Sequence, residues 1–232
     1  MNNKKVIFHD LGLIDYKICW DYQTKLFDET VQQKIVNRKT PSSAKKTTNH
    51  LIFCQHPHVY TLGKSGSMSN LLLNEDQLNQ KNISFYKINR GGDITYHGPG
   101  QLVVYPILDL DHFFSDIHRY LRFLEEAVIK TIEEYNIYGK RIEGLTGVWV
   151  GEDNPRKICA LGVKSSRWVT MHGIGFNVNT DLTYFNNIIP CGIEDKSVTS
   201  VQKETKTVIS MDDIKQKLKY YLSEIFEFDL IS

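Results

Sequence analysis

A glycine-rich segment followed by an apolar run constrains the fold of this chain more than any other feature. Residues 90–101 read Arg-Gly-Gly-Asp-Ile-Thr-Tyr-His-Gly-Pro-Gly-Gln, and the strand-like run Leu102–Leu108 follows directly. Because glycine has no Cβ, such a loop permits backbone angles and close approaches that other residues block. A tight turn between two strands would explain a lone Gly-Gly pair. This longer segment instead predicts a loop whose N–H groups and peptide planes lie against a ligand, with Arg90 and residues 95–97 near its polar end.

A cysteine between a proline and a glycine is the second signal. In Pro190-Cys191-Gly192 the proline fixes its own φ and pushes the preceding Ile189 towards an extended conformation. Gly192 leaves the far side of the sulfur open. The pattern predicts that a rigid turn presents Cys191, as a nucleophile requires. The alternative is the usual role of a free cysteine, a small buried apolar residue.

Two further segments lie between these signals. Lys157 opens the apolar run Ile158–Gly162, and His172 precedes Gly173-Ile174-Gly175. Taken singly, each has an ordinary explanation, because a lysine at a strand end is usually solvated and a lone histidine usually bonds to backbone groups.

Together and in this order, the segments resemble the lipoyl(octanoyl) transferase family, also called octanoyl-acyl-carrier-protein:protein octanoyltransferases. The match runs from about His50 to Val201. It also includes the run Gln55–Lys64, the block Gly147–Val150 and Val198-Thr199-Ser200. Any one block is weak evidence, whereas four separated blocks in the same order make a specific signal.

The resemblance implies the catalytic fold of biotin and lipoate protein ligases. It also implies an acyltransferase that takes an octanoyl group from octanoyl-acyl carrier protein and places it on a specific lysine of a lipoyl domain. The implied acceptors are the E2 subunits of 2-oxoacid dehydrogenases and the glycine-cleavage H protein. No metal and no soluble cofactor are expected, since a thioester donor is already activated.

The same resemblance implies the roles of individual residues. Cys191 is the expected nucleophile, which forms a thioester acyl-enzyme that the acceptor amine then attacks. A free thiol has a pKa of about 8.5 and needs a neighbouring cation or base, for which Lys157 is expected. Lys164 is the alternative, but seven residues along a regular strand would place it on the opposite face. The expected substrate-binding residues are Arg90, Gly91, Gly92, Asp93, Ile94, Thr95, Tyr96, His97, Ala160, Leu161, Gly162, Gly173, Ile174 and Gly175.

Three alternatives are considered. An ATP-dependent lipoate or biotin ligase of the same fold needs no nucleophilic cysteine, so Cys191 argues against it, and no Walker-type phosphate loop is present. A non-catalytic acyl-carrier binder would be expected to lack Cys191 or Lys157. The pair His56 and His58 suggests a metal site, but no further ligand follows in the pattern, so no metal is predicted.

Length and charge narrow the remaining choices. The 232 residues suffice for one domain with a substantial core, and the net charge of +1 provides no field for nucleic acid or an anionic membrane. No run reaches the roughly 18–20 apolar residues of a membrane helix, and the N-terminus lacks the apolar core of a signal peptide. The four cysteines have no CxxC spacing and are expected to be thiols. We therefore expect a cytoplasmic protein, monomeric by default.

The periodicity predicts a single α/β (α+β) domain, residues 1–232, in which helices flank a mixed sheet. Helices are predicted over residues 16–36, 116–136 and 211–226, with Ser115 capping the second and Ser210 with Asp213 forming a capping box at the third. Residues 38–49 are expected to form an exposed polar loop. Cys19, Cys54 and Cys159 are expected to be packed in apolar surroundings. Strands are predicted over residues 6–8, 51–55, 84–88, 102–108, 147–150, 158–164 and 173–179.

Overall fold

The computed structural model describes residues 3–189 and 197–231, and its central element is a mixed sheet of eight strands. The strands of the chain are β1 (Lys5–Leu13), β2 (Asn49–Gln55), β3 (Val59–Leu62), β4 (Ser84–Lys87), β5 (Ile94–His97), β6 (Gln101–Ile107), β7 (Gly139–Ile142), β8 (Leu145–Val150), β9 (Arg156–Ser166), β10 (Val169–Asn177) and β11 (Asp229–Ile231). The helices are α1 (Tyr16–Lys39), α2 (Glu75–Gln80), α3 (Ile117–Glu133), α4 (Val201–Thr205) and α5 (Met211–Phe226).

The large sheet has the strand order β11-β1-β2-β6-β10-β9-β8-β7. Strand β1 runs parallel to β11 and β2, and the other neighbouring pairs are antiparallel. A second sheet of three strands, β4-β3-β5, contains the middle of the glycine-rich segment as β5. The predicted mixed sheet is therefore confirmed.

Helices cover both faces of the sheet centre, because the side chains on both faces of its central strands are apolar. On β2, Leu51 and Phe53 join the core that contains α3 and α5, whereas Ile52 and Cys54 join the core that contains α1. Neighbouring strand β6 repeats the pattern, so its seven residues are all buried. This sandwich of helix, sheet and helices confirms the predicted α/β class.

The three predicted helices form, with small differences at their ends. Asp116, not Ser115, caps α3, because its carboxylate accepts hydrogen bonds from the backbone N–H groups of His118 and Arg119. Ser210 caps α5 and accepts from the Asp213 N–H at 3.3 Å. The Asp213 carboxylate, however, accepts from the Tyr135 hydroxyl at 2.6 Å, so the reciprocal half of the predicted capping box is replaced by a tertiary contact.

The periodicity of the sequence does not predict several short strands. The pattern placed residues 94–97 in a loop, yet they form β5 and pair antiparallel with β3, which was also unpredicted. Strands β7 and β11 lie at the two edges of the large sheet and contain only four and three residues. Such short strands form because a neighbour supplies hydrogen bonds, which no local pattern reveals.

No helix in the described part of the chain is long and apolar enough to cross a membrane.

Candidate active site

Lys157 lies near the start of β9, directly across from Trp149 on β8. Its ammonium nitrogen is 4.6 Å from the centre of the Trp149 ring. Its backbone also holds the described segment that begins at Ser197. The Lys157 N–H donates to the Ser197 carbonyl at 2.9 Å, and the Lys157 carbonyl accepts from the Thr199 N–H at 3.0 Å. Residues 197–199 therefore run alongside Lys157 and pair with its backbone as a neighbouring strand would.

The expected nucleophile, Cys191, lies outside the described residues, as do both of its neighbours, Pro190 and Gly192. The described chain before this gap is attached by the Ile189 N–H, which donates to the Asn70 carbonyl at 2.9 Å. On the other side, Ser197 is bound to Lys157. Ile189 and Ser197 are thus both hydrogen-bonded within the domain, and Ser197 is bonded to the candidate partner of Cys191.

The glycine-rich segment packs edge-on against β9. The Gly91 N–H donates to the Val163 carbonyl at 2.9 Å, and a Cβ on Gly162 would lie 2.7 Å from the Gly91 carbonyl oxygen. Arg90 is buried, and its guanidinium donates to the Thr61 carbonyl and hydroxyl at 2.7 and 3.1 Å. The glycines at this contact are needed because the backbones approach more closely than any Cβ permits.

Two cavities meet at this contact. The outer one opens to solvent, has a cavity volume of about 410 Å³ and contains Lys157, residues 91–94, Leu121, Phe185 and Val198 in its wall. The inner one is smaller, with a cavity volume of about 40 Å³, and reaches between β9, β10 and α1. Both share Arg90, Thr95, Ala160, Leu161 and Gly162, so the two cavities adjoin at these residues. We call the two adjoining cavities the channel, and Lys157 lies in its outer part.

Strand β9 forms the wall that runs from Lys157 to the inner cavity. Gly162 is the fifth residue after Lys157, which at about 3.3 Å per residue corresponds to roughly 16 Å along the strand. The remaining expected residues Gly173, Ile174 and Gly175 line the inner cavity, where β10 presents its backbone. A ligand with a reactive polar end and an unbranched apolar tail fits such a shape, with the polar end near Lys157.

Two neutral histidines stand at the inner cavity. His97 Nδ1 donates to the Gln101 side-chain oxygen at 2.6 Å, and burial lowers the pKa of His97 to about 3. Burial also lowers the pKa of His172 to about 3, with the charge of Arg90 adding to the effect. His172 has a φ of +62°, and neither ring nitrogen has a hydrogen-bond partner within residues 3–189 and 197–231. Neutral His172 can offer a ring N–H to a ligand, whereas the second ring nitrogen of His97 can only accept a hydrogen bond, and neither ring supplies a cation.

Tyr96 is the one expected binding residue that lines neither cavity. Its ring is fully buried on the other side of the small sheet and stacks on Tyr184, with centroids 5.0 Å apart. Its hydroxyl bonds to His58 Nδ1 at 2.8 Å. Alternation along β5 places Thr95 and His97 at the ligand channel and Tyr96 in the support behind it.

The other cysteines are packed within the core. Cys159 is completely buried, and burial raises the pKa of its thiol well above the usual range, which makes it a poor nucleophile. Cys19 and Cys54 are also buried, with sulfur atoms 4.0 Å apart. The sequence prediction that these three are packing residues is confirmed.

His56 and His58 do not converge on a common point. His56 approaches Cys54 and Cys19, and the potential ligand atoms of these three residues lie within 4.8 Å of one another. Its ring nitrogens bond to the Ile14 carbonyl at 2.8 Å and the Tyr105 hydroxyl at 2.9 Å. With no metal present, burial raises the pKa of the Cys54 thiol well above its usual range.

Tyr16 and Tyr105 line the inner cavity, but sequence reasoning did not identify them. Tyr16 begins α1, and its ring stacks on His97 with centroids 6.0 Å apart. Tyr105 lies within the apolar strand β6. Neither residue belongs to a motif, so only the packing of α1 against the sheet reveals that they close the channel.

Comparison with known proteins adds independent information. Residues 15–223 match the model of the lipoyl protein ligase A/B catalytic domain. An octanoyltransferase of Cytophaga hutchinsonii is 58% identical over 98% of this chain and 95% of its own length. The solved bipartite lipoate protein ligase of Thermoplasma acidophilum, studied with its E2 lipoyl domain, is 18% identical with a TM-score of 0.66, covering 100% of this chain and 88% of that one. A biotin protein ligase from Aquifex aeolicus, 14% identical, has a TM-score of 0.51 over 97% of this chain and 71% of its own.

Proposed function

The chain belongs to the lipoyl protein ligase A/B catalytic-domain family and is, within it, an acyltransferase of the lipoyl(octanoyl) transferase type. On this premise we propose that it takes an octanoyl group from octanoyl-acyl carrier protein and transfers it to a specific lysine of a lipoyl domain. The acceptors would be E2 subunits of 2-oxoacid dehydrogenases and the glycine-cleavage H protein. The reaction would be the first step of protein lipoylation and would proceed through a thioester on Cys191.

The observation that carries the proposal is the position of Lys157 along the ligand channel. Lys157 lies in the outer cavity beside residues 197–199, which follow Cys191 closely in the chain. The inner cavity has glycine-rich backbone, apolar side chains such as Leu161 and the neutral rings of two histidines in its wall. An acyl thioester would bind with its carbonyl near Lys157 and its tail in the inner cavity.

In the first proposed step, the Cys191 thiolate attacks the thioester carbonyl carbon, and the carrier thiol leaves with a proton. In the second step, the ε-amine of the acceptor lysine attacks the new thioester, an amide forms, and the Cys191 sulfur is released. The Lys157 ammonium would favour the thiolate, and its amine form would exchange protons with the leaving thiol and the incoming amine. Backbone N–H groups of the glycine-rich walls would stabilise the oxyanion that forms at the carbonyl.

The proposed binding residues divide along the channel. Residues 91–94 would contact the carbonyl end and the carrier's linker, because they line the outer cavity alone. His97 and residues 173–175 would contact the acyl tail, because they line the inner cavity alone. Tyr96 would act indirectly, by supporting β5 from behind.

We also propose that residues 1–232 act as one catalytic domain, as a cytoplasmic monomer that needs no metal or soluble cofactor. The ATP-dependent ligases that share the fold form the alternative, because they attach an acyl group through an acyl-adenylate and need no cysteine.

Intact-protein mass spectrometry tests the proposal. Wild-type protein and Cys191→Ala are mixed with octanoyl-acyl carrier protein in the absence of ATP. An octanoyl adduct on wild type, removed by hydroxylamine and absent from the variant, is the expected result. If no adduct forms, while free octanoate and ATP modify a lipoyl domain, the protein is a ligase.

A further inference from the structure

The side chain of Lys157 is held from two sides by strand β8. On one side lies the ring of Trp149, its cross-strand partner, which is only 2% exposed and 4.6 Å from the ammonium nitrogen. An ammonium group over the face of tryptophan is attracted by the ring quadrupole, most strongly where water is excluded. Trp149 is therefore a contact of the charged group itself and not only of the aliphatic stem.

On the other side lies Gly147, where the stem of Lys157 crosses the backbone of β8. A Cβ added to Gly147 would be 3.3 Å from Lys157 Cε and 2.7 Å from the Cys159 carbonyl oxygen. Gly147 also has a φ of +128°, which side-chain-bearing residues rarely adopt. The absent side chain at Gly147 thus makes room for the stem.

A buried carboxylate fixes this backbone. Glu125 of α3 has a completely buried side chain and accepts from the Gly147 N–H at 2.9 Å. Arg122 forms an ion pair with the same carboxylate at 3.0 Å, and Arg141 donates a hydrogen bond to it at 3.1 Å. A buried carboxylate is costly unless every oxygen is paired, and here it links α3 to the strand that seats Lys157.

We propose that Trp149 is a positioning residue for Lys157: its ring holds the ammonium group at the outer cavity, while Gly147, fixed by Glu125, holds the stem. This inference rests on the proposed role of Lys157 in thioester chemistry. A lysine has four rotatable side-chain bonds and loses catalytic precision when they are free. The Trp149 indole and the Gly147 backbone restrict the Lys157 amine to the part of the channel where the acyl carbonyl is proposed to bind.

The test compares Trp149→Leu, which removes the aromatic face, with Trp149→Phe, which keeps one. Trp168→Leu is the matched control, because Trp168 is 39% exposed on the β9–β10 turn and lines neither cavity. Two readouts are measured as functions of pH. One is the rate of octanoyl adduct formation in a single turnover. The other is the labelling of Lys157 by an amine-selective reagent, followed by peptide mass spectrometry, which needs no catalysis.

Trp149→Leu is expected to slow adduct formation about tenfold, with Trp149→Phe intermediate and Trp168→Leu unchanged. Because the ring favours the ammonium form, the Lys157 labelling profile of Trp149→Leu should also shift to lower pH. Thermal unfolding of each variant identifies any that fold poorly. If Trp149→Leu does so, Trp149→Phe is compared with the wild-type protein instead.

Folded Trp149 variants with wild-type rates and unchanged Lys157 labelling profiles would overturn the inference while leaving the transferase function intact. If instead the wild-type protein forms no adduct, the proposed function fails, and the labelling profiles still decide whether Trp149 positions Lys157.

Discussion

Lys157 and Lys164 lie seven residues apart on β9, yet their ammonium groups contact different layers of the molecule. Lys157 sits over the ring of Trp149 in the outer cavity, to which α3 contributes Leu121. Lys164 sits over the ring of Phe27 on α1, 4.7 Å from its centre. The two lysines therefore form a natural pair for separating a catalytic role from a general effect of positive charge.

Replacing Lys157 by alanine should lower the rate of acyl-enzyme formation by a factor of about 10² to 10⁴, the usual contribution of a positioned acid–base group. Lys164→Ala should change the rate by less than about threefold, because its ammonium group lies over the ring of Phe27 on α1, away from the outer cavity. Single-turnover mass spectrometry with octanoyl-acyl carrier protein measures both. Equal losses in the two variants would contradict the assignment of Lys157.

Gly175→Ala should shift the acyl preference towards shorter chains. The added Cβ would lie 3.3 Å from the Gln101 side-chain oxygen and 3.4 Å from His97 Cε1, so it narrows the inner cavity without striking backbone. One methyl group in such a pocket changes selectivity by about tenfold. Competition between hexanoyl, octanoyl and decanoyl thioesters measures this ratio.

Gly173→Ala provides the contrast for that experiment. Its Cβ would lie 2.3 Å from the Val104 carbonyl oxygen, which belongs to the neighbouring strand and cannot yield. We expect this variant to lose stability in thermal unfolding. A Gly175→Ala enzyme with the wild-type chain-length ratio would show that this wall does not limit the acyl tail.

The buried histidines should make the protein sensitive to mild acid. Burial lowers the pKa of both His97 and His172 from 6.5 to about 3, so between these values the unfolded chain binds protons that the folded chain excludes. Above about pH 6.5 the effect on the free energy of unfolding vanishes. Below it, each such histidine costs about 1.4 kcal/mol per pH unit.

Urea unfolding at a series of pH values measures this slope. His172→Gln should reduce the loss of stability between pH 6.5 and 4, because one proton-binding group of the unfolded chain is removed. His118→Gln is the control, since His118 is exposed on α3. An unchanged slope in His172→Gln would mean that His172 is charged or solvated in the folded protein.

The buried ion pair between Lys34 and Asp109 should matter for stability and not for chemistry. Both side chains are almost completely buried, and the other oxygen of Asp109 accepts from the Thr47 hydroxyl at 2.7 Å. Lys34→Met leaves that carboxylate without its cation, which should cost about 3 kcal/mol of unfolding free energy.

Lys17→Met removes an exposed pair with Asp21 and should change stability by less than about 0.5 kcal/mol. Chemical denaturation measures both variants. If the two substitutions cost the same, the burial of Lys34 does not strengthen its ion pair.

The sequence by itself determined the family, the α/β class and the three long helices, because each leaves a local record. The spacing of apolar side chains reveals the helices. The glycines of residues 90–101 indicate positions where backbones approach closely. The same local record indicated that Lys157 opens its strand and that Cys159 is packed.

Only the tertiary structure decided how those pieces make a channel. Tyr16 reaches the inner cavity because α1 packs across β6 and β10, and Tyr96 points away from the channel because residues 94–97 pair with β3. Trp149 and Gly147 come to surround Lys157 because β8 lies beside β9. These contacts join residues far apart or on different strands, and such long-range pairing depends on the packing of the whole sheet and not on any local pattern.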